Sequence, residues 1–158
     1  MSPLNVARLT VSDRAHAGVY QDKGGPELER VFSLEWASPC LWTSLTVPDE
    51  KDRITSSLRS WIEQRIPLIL TTGGTGPTPR DVTPEATRAV LEKELPGLCE
   101  AQRMTSFPLA PTAILSRAVA GVAGQTLIIN FPGNPKAIAE CLPPLIPAIR
   151  ECLKHLRE

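Results

Sequence analysis

The chain of 158 residues is long enough to form one domain with a substantial core, and its 17 Lys and Arg residues balance 17 Asp and Glu residues. A net charge near zero argues against a nucleic-acid partner, because proteins that bind nucleic acid usually carry a basic surplus. No apolar run approaches the length of a membrane span, and the N-terminus has no signal-peptide pattern. We therefore expect a cytoplasmic protein with no membrane partner.

The predicted elements alternate between short apolar strands and amphipathic helices. Each of the four predicted strands is a compact apolar run that ends in a polar or glycine-bearing loop: 6–11, 41–47, 66–70 and 126–131. The predicted helices carry start signals or apolar residues at helical spacing: 26–34, 50–64, 84–95, 97–104 and 138–156. The last helix is expected to break near Pro143, and residues 112–122 fit neither pattern clearly.

This alternation predicts the fold class. Repeated strand–helix–strand units give a mainly parallel sheet with helices on both faces, which is an α/β fold. The chain shows no internal repeat, low-complexity tract or linker. We therefore expect a single domain over residues 1–158.

The most informative segment is 71–86, which reads TTGGTGPTPRDVTPEA, and residues 73–82 within it are called the glycine loop below. Gly73, Gly74 and Gly76 permit positive φ angles and close approach of the backbone. Exposed amides in such a loop, followed by a helix start, favour an anion. The segment lacks the Gly-Lys-Ser/Thr of a P-loop, and no G-x-G-x-x-G follows the first strand, so the standard nucleotide-binding motifs are disfavoured.

Polar residues follow each predicted strand. They are Ser12-Asp13, Pro48-Asp49, the glycine loop with Asp81, and Pro132-Gly133-Asn134. Because the carboxyl ends of parallel strands share one edge, these residues should line one crevice. Two carboxylates beside anion-binding loops suit Mg²⁺, or the orientation of a nucleophile, in phosphoryl or nucleotidyl transfer. Each motif alone also fits a plainer role, with Asp49 as a helix cap and Asp81 as a turn residue.

The cysteines and tryptophans add little to the functional prediction. The four cysteines have no metal-binding or redox spacing and are expected to be reduced thiols in or near the core: Cys40, Cys99, Cys141 and Cys152. Trp36 and Trp42 fall outside clear core periodicity, which gives weak support to an interface between copies of the chain.

Five segments recur in a specific order and spacing. They are SDR…GVYQDKG within 12–24, PDE at 48–50, TTGGTG…RDVTPEAT at 71–87, PTAILSR at 111–117 and PGNPK at 132–136. Together they closely resemble the molybdopterin adenylyltransferases of molybdenum cofactor synthesis, which are related to the G domains of gephyrin. The resemblance extends from residue 6 to about residue 153.

The resemblance implies a three-layer α/β/α fold around a mostly parallel sheet, usually assembled as a homotrimer. It implies Mg²⁺-dependent transfer of AMP from ATP to the terminal phosphate of molybdopterin, and hand-over of the product to a molybdenum-inserting enzyme. The two important aspartates of the family, which are candidate Mg²⁺ ligands, fall on Asp49 and Asp81. The implied substrate-binding positions are Ser12, Asp13, Thr72, Gly73, Gly74, Thr75, Gly76, Ser116, Arg117, Pro132, Gly133, Asn134 and Lys136.

Other functions of a similar sequence remain open at this point. The main rival is a module that binds molybdopterin without adenylylating it, or a trimeric scaffold. A molybdenum-insertion domain and a general nucleotide hydrolase are further alternatives. The presence of both Asp49 and Asp81 favours the enzyme, and Arg117 and Lys136 are expected to neutralise charge on the phosphates.

Overall fold

A computed structural model describes residues 2–158. Its single six-stranded sheet has the order β2-β1-β3-β6-β5-β4. The strands are β1 (Leu4–Val11), β2 (Cys40–Val47), β3 (Leu68–Thr72), β4 (Lys93–Glu94), β5 (Ala120–Ala123) and β6 (Thr126–Phe131). The α-helices are α1 (Asp13–His16), α2 (Gly24–Trp36), α3 (Lys51–Glu63), α4 (Thr83–Arg88), α5 (Pro96–Ser106), α6 (Pro135–Cys141) and α7 (Ile146–His155).

The sheet is mostly parallel, as predicted. Strands β2, β1, β3 and β6 run parallel to one another, whereas β5 and β4 form an antiparallel edge. The chain passes from β1 to β2 on one side and then returns to place β3 on the other side of β1. In open α/β sheets, the crevice at such a reversal is where ligands bind.

Two apolar clusters cover the two faces of the sheet, because alternate residues of a strand point to opposite sides. Helices α2, α5, α6 and α7 pack on the face that carries Val6, Leu70 and Ile129. Helices α3 and α4 pack on the other face, against Leu9 and Ile128. The predicted three-layer α/β/α fold is confirmed.

The helix predicted over 84–95 is too long. Helix α4 ends at Arg88, and Lys93–Glu94 instead pairs with β5 as strand β4, flanked by hydrogen bonds from the amides of Glu92 and Leu95 to β5 carbonyls. Sheet pairing therefore overrides the helix propensity of a Glu- and Lys-rich stretch. The ambiguous residues 112–122 divide between a 3₁₀ turn at Pro111–Leu115 and the start of β5.

The predicted break in the last helical region is confirmed. Helix α6 ends at Cys141, a 3₁₀ turn spans Pro143–Leu145, and α7 begins at Ile146. A proline cannot donate the backbone hydrogen bond that a continuous helix needs, and its ring collides with the preceding turn. Within residues 2–158, no helix is both long enough and apolar enough to cross a membrane.

Trp36 belongs to the core and Trp42 packs half-buried against it, so neither residue adds the expected support for an interface between copies of the chain. Trp36 is only 8% exposed and stacks on Phe32, with ring centroids 5.3 Å apart. Trp42 meets Phe32 edge-on at 5.9 Å and donates its indole N–H to Ser33. The four cysteines are free thiols, as expected. Burial raises the pKa of two of them, Cys99 and Cys141, to about 12, so neither is a reactive thiolate at neutral pH.

Candidate functional site

The loops after the parallel strands meet at one edge of the sheet, as predicted. The amide of Ser12 after β1 donates to Val47 of β2 at 2.9 Å, and the amide of Gly73 after β3 donates to Phe131 of β6 at 3.1 Å. The Thr72 hydroxyl donates to the Pro132 carbonyl at 2.8 Å. These bonds join the carboxyl end of β1 to that of β2, and the carboxyl end of β3 to that of β6.

The glycine loop begins with two residues in the left-handed region. Gly73 has φ +94° and Gly74 has φ +67°. A Cβ at Gly73 would collide with the carbonyl oxygen of Val11, so the turn lies directly against the end of β1. The start of α4 secures it, because Thr83 donates its hydroxyl to the Gly73 carbonyl at 2.9 Å and its amide to the Gly74 carbonyl at 3.1 Å. Glycine is therefore required at Gly73 for both its conformation and its size.

The turn leaves backbone donors free. Within residues 2–158, the amides of Gly74, Thr75 and Gly76 donate to no other residue, and neither do those of Gly133 and Asn134. Consecutive free amides in a glycine-rich turn form a cradle for an anion such as a phosphate group. This geometry agrees with the anion-binding interpretation of the segment.

Arg117 stabilises the backbone of the glycine loop. Its Nε donates to the Gly76 carbonyl at 2.9 Å, and its Nη2 donates to the Asp81 carbonyl at 2.9 Å. Its guanidinium also pairs with both carboxylate oxygens of Glu85, at 2.6 and 3.2 Å, and this pairing holds the pKa of Glu85 below its usual value. Every nitrogen of the guanidinium is thus engaged inside the protein, which argues against the expectation that Arg117 neutralises substrate charge.

Asp13 and Asp49 bind each other through main chain and side chain. The Asp13 amide donates to Oδ2 of Asp49 at 2.8 Å, and the Asp49 amide donates to Oδ1 of Asp13 at 2.9 Å. Oδ1 of Asp49 accepts no hydrogen bond from the described residues and lies 3.1 Å from where a Cβ on Gly74 would stand. The free oxygen of Asp49 therefore lies against the glycine loop.

The surroundings shift the pKa values of these two carboxylates in opposite directions. Burial raises the pKa of Asp49, and the charges of Asp13 and Asp81 raise it further, against the lowering effect of the Asp13 amide and of Arg80. The pKa of Asp13 is lowered, mainly by its hydrogen bonds from Arg80 and also by the Asp49 amide. A carboxylate with a raised pKa beside a cradle of amides is a typical feature of a functional site.

Asp81 stands at the far end of the glycine loop. Its Oδ2 accepts from the amide of Thr78 at 3.0 Å and from the Thr78 hydroxyl at 2.7 Å, so the side chain reaches back three residues and is held within the loop. Its Oδ1 accepts no hydrogen bond from the described residues, and its charge acts on Asp49. No group of three metal-binding side chains occurs within residues 2–158. The free oxygens of two aspartates fit Mg²⁺ only as a partial set that substrate phosphates complete.

Other predicted residues serve as helix caps at the same edge. The Ser12 hydroxyl accepts from the Ala15 amide and caps α1, and the Asn134 side chain accepts from the Lys136 amide and caps α6. The Lys136 side chain forms no ion pair with any residue of 2–158, so its charge is available to a ligand. The side chains of Ser12 and Asn134 thus also shape the backbone of the site.

Two clefts open at this edge, and each is lined by residues of the glycine loop and of segment 132–134. A cleft of about 220 Å³ lies between Ser12, Thr72, Gly73 and Gly133 on one side and the start of α2 on the other. A cleft of about 270 Å³ is lined by Gly76, Ser116, Pro132 and Asn134, together with α5 and α6. The predicted binding residues therefore divide between two neighbouring spaces.

Sequence reasoning missed two polar residues of this region. Arg80 forms a two-pronged ion pair with Asp13, and Asp22 lines the smaller cleft. Asp22 accepts from the Gly25 amide at the start of α2, and also from Arg8 and Thr10. Arg80 had a visible signal, because it directly precedes Asp81 in the motif, whereas the partners of Asp22 are set only by the fold.

The fold and the edge together define a class: a doubly wound α/β protein with an anion cradle and paired carboxylates at its topological switch point. Residues 7–151 match the family described as "Probable molybdopterin binding domain". The chain belongs to this family.

Named relatives extend the comparison. The chain is 47% identical over 154 residues to the molybdopterin adenylyltransferase of Helicobacter pylori strain J99, covering 97% of this chain and 88% of the relative. It is 46% identical over 143 residues to that of Escherichia coli K12, covering 90% and 73%. The solved structure of the molybdopterin biosynthesis enzyme MoaB from Thermus thermophilus superimposes with a TM-score of 0.88 at 42% identity, covering 97% and 96%.

Proposed function

We propose that this protein is a molybdopterin adenylyltransferase of molybdenum cofactor biosynthesis, as the names of its relatives indicate. The observation that supports this most strongly is the placement of Asp49. Its free Oδ1 lies against the glycine loop, in which the amides of Gly74, Thr75 and Gly76 donate to no residue of 2–158, so that a carboxylate and a phosphate cradle share one site. Such an arrangement favours nucleotidyl transfer, where positioning and charge control dominate catalysis.

Adenylyl transfer exchanges one phosphorus–oxygen bond for another. An oxygen of the terminal phosphate of molybdopterin attacks the α-phosphorus of ATP, the bond from that phosphorus to the bridging oxygen breaks, and pyrophosphate leaves. The free amides of the glycine loop and of Gly133 and Asn134 bind phosphate oxygens, and Lys136 adds a positive charge. Because the attacking group is already an anion, the protein has to position it rather than remove a proton.

Asp49 and Asp81 are proposed as the residues that hold Mg²⁺ together with substrate phosphates. When bound, the ion supplies neutralisation of the phosphate charges. Burial raises the pKa of Asp49 and the charge of Asp81 raises it further, so a cation beside these carboxylates would be favoured.

The two neighbouring clefts support a reaction with two substrates. One holds about 220 Å³ and the other about 270 Å³, and residues of the glycine loop and of 132–134 line both. ATP and molybdopterin would then meet with their phosphates over the shared loops. Ser12, Thr72 and Gly73 would contact the ligand of the smaller cleft, and Ser116 that of the larger.

We further propose a cytoplasmic homotrimer that works as a single domain over residues 1–158 and hands its product to a molybdenum-inserting enzyme. An apolar surface on α5 and the turn after it supports the assembly, since monomers seldom expose such patches. Its side chains are between 46% and 75% exposed: Met104, Phe107, Leu109, Ile114 and Leu115. Leu115 also lines the larger cleft, so a second copy on this surface would border the site.

The aspartate assignment is tested with Asp81→Asn. Replacing the carboxylate keeps an oxygen for the Thr78 hydrogen bonds but removes the charge, so we expect normal folding and a loss of adenylyl transfer of at least about 100-fold. Purified protein is incubated with molybdopterin, ATP and Mg²⁺, and adenylylated pterin is measured by mass spectrometry. Asp52→Asn, at an exposed carboxylate in the first turn of α3, is the matched control and should retain full activity.

Two results would count against the proposal. Near-normal turnover by Asp81→Asn would remove that residue from the catalytic set. A wild-type protein that binds molybdopterin tightly and yields no adenylylated product would be a binding or scaffold module.

A further inference from the structure

Arg80 connects two strand ends that are distant in sequence. It lies in the glycine loop, and its Nε and Nη2 reach the two carboxylate oxygens of Asp13 at 3.0 and 2.8 Å. The partners are 67 positions apart, so the pair ties the loop after β3 to the turn after β1. The two-pronged geometry holds the Asp13 carboxylate in one plane and one rotamer.

The contact continues from Asp13 to Asp49. Oδ1 of Asp13 accepts from Arg80 and also from the Asp49 amide at 2.9 Å, while the Asp13 amide holds Oδ2 of Asp49 at 2.8 Å. The Asp13 carboxylate thus holds the main chain of Asp49, and the Asp13 main chain holds the Asp49 carboxylate, so loss of the Arg80 contact would act on Asp49 first through its main chain. The free Oδ1 of Asp49 is directed by this chain of contacts and by no other hydrogen bond in the described residues.

Stability does not account for this ion pair. The Arg80 side chain is 62% exposed and that of Asp13 is 40% exposed. Exposed pairs typically contribute between zero and about 1 kcal/mol, because water and salt screen them. The Arg80–Asp13 pair contributes little to folding, and Asp13 contacts Asp49. We therefore look for the main effect of the pair in the position of Asp49.

We infer that Arg80 is a positioning residue for adenylyl transfer, which acts on Asp49 through Asp13. The inference rests on the proposed function. Arg80 fixes Asp13, and Asp13 fixes the direction of the Asp49 carboxylate toward the glycine loop.

The test compares Arg80→Met and Arg80→Lys with Arg30→Met. Arg30 forms a similarly exposed ion pair with Glu27, outside the site, and its loss should leave activity unchanged. In Arg80→Met we expect kcat to fall roughly 10- to 100-fold with little change in KM, as a misplaced group does. Arg80→Lys should restore only part of kcat, because the ammonium keeps the charge but cannot bind both carboxylate oxygens of Asp13 in the two-pronged geometry.

A double-mutant cycle and a ligand-free measurement complete the test. Asp13→Asn combined with Arg80→Met should be no worse than the poorer single variant, because both break one chain of contacts. In the free protein, the NMR signals of the Asp49 amide and carboxyl carbon should shift in Arg80→Met and stay in place in Arg30→Met, whether or not the protein adenylylates pterin. An unchanged kcat in Arg80→Met would overturn the inference, as would a rise in KM alone. A wild-type protein without adenylyl transfer contradicts the proposed function instead, and the NMR result still reports on the contact.

Discussion

Two arginines contact the glycine loop, and they act on different parts of it. Arg117 donates to the carbonyls of Gly76 and Asp81 and to Glu85 at the start of α4, so its contacts run to the backbone frame. Among residues 2–158, Arg80 donates to the carboxylate of Asp13 alone. The same residue type therefore builds the loop in one case and directs a functional side chain in the other. Loss of Arg117 should be felt first in stability, and loss of Arg80 first in activity.

The largest loss of stability is expected from a substitution that distorts the backbone of the glycine loop. Gly73→Ala places a Cβ against the Val11 carbonyl at a residue with φ +94°, so we expect a loss of about 2–4 kcal/mol in the free energy of unfolding. Denaturant unfolding measures this value. Adenylyl transfer should disappear as well, because the amide cradle moves.

Gly124→Ala is the matched control for that change. Gly124 has φ +59°, and nothing lies within 4 Å of its Cβ position. It should lose only about 1–2 kcal/mol from the conformational penalty. Equal losses in the two variants would mean that the close contact between Gly73 and Val11 is not rigid.

An intermediate loss of stability is expected for Arg117→Met, and it should exceed the loss for Arg80→Met. Arg117→Met should lower the free energy of unfolding by about 1–2 kcal/mol, since it removes hydrogen bonds from a charged donor to two loop carbonyls. Arg80→Met should lower it by less than about 1 kcal/mol. Thermal melts of both variants at neutral pH check the contrast. Equal destabilisation would contradict the view that Arg117 supports the loop backbone whereas Arg80 positions a side chain.

Arg117→Met also predicts a pH effect of known sign. The pairing with Arg117 depresses the pKa of Glu85, so it stabilises the folded protein above the usual pKa of a glutamate and is lost as the pH falls through the depressed value. Stability of the wild type should therefore decline faster on acidification than that of Arg117→Met. Parallel curves would show that Glu85 draws no stabilisation from the pair.

The smallest effect on stability is expected at Asp49. Removing its charge should abolish activity without lowering the stability of the fold. Burial raises its pKa, so the folded state binds a proton more tightly than the unfolded chain does, and stability falls as the pH rises through that value. Asp49→Asn keeps an acceptor for the Asp13 amide and removes the charge. We expect a melting temperature at pH 7 equal to or slightly above that of the wild type, with activity lost. A clear drop in melting temperature would contradict the raised pKa.

Much of the frame was predictable because it depends on local patterns. Compact apolar runs marked the four parallel strands, and the residues after them marked the edge where Asp49 and Asp81 lie. Strand β4 was not predictable, because Lys93–Glu94 is polar and adopts its conformation only by pairing with β5. Local propensity contains no information about such a partner.

The same limit applies to the site. The aspartates and glycines stand in motifs, so their positions at strand ends could be inferred from spacing. The engagement of Arg117 could not, since its partners include backbone carbonyls 41 and 36 positions away. Nor could the link from Arg80 through Asp13 to Asp49, which exists only when three strand ends lie side by side.

The most direct test of the central claim follows the α-phosphate of ATP. Wild-type protein is incubated with Mg²⁺, molybdopterin and ATP labelled at the α-phosphorus, and the labelled products are separated. For an adenylyltransferase we expect label in the adenylylated pterin, pyrophosphate in equal amount, and neither product when the pterin is omitted. Label released as free AMP at the same rate without pterin would identify a hydrolase and contradict the account.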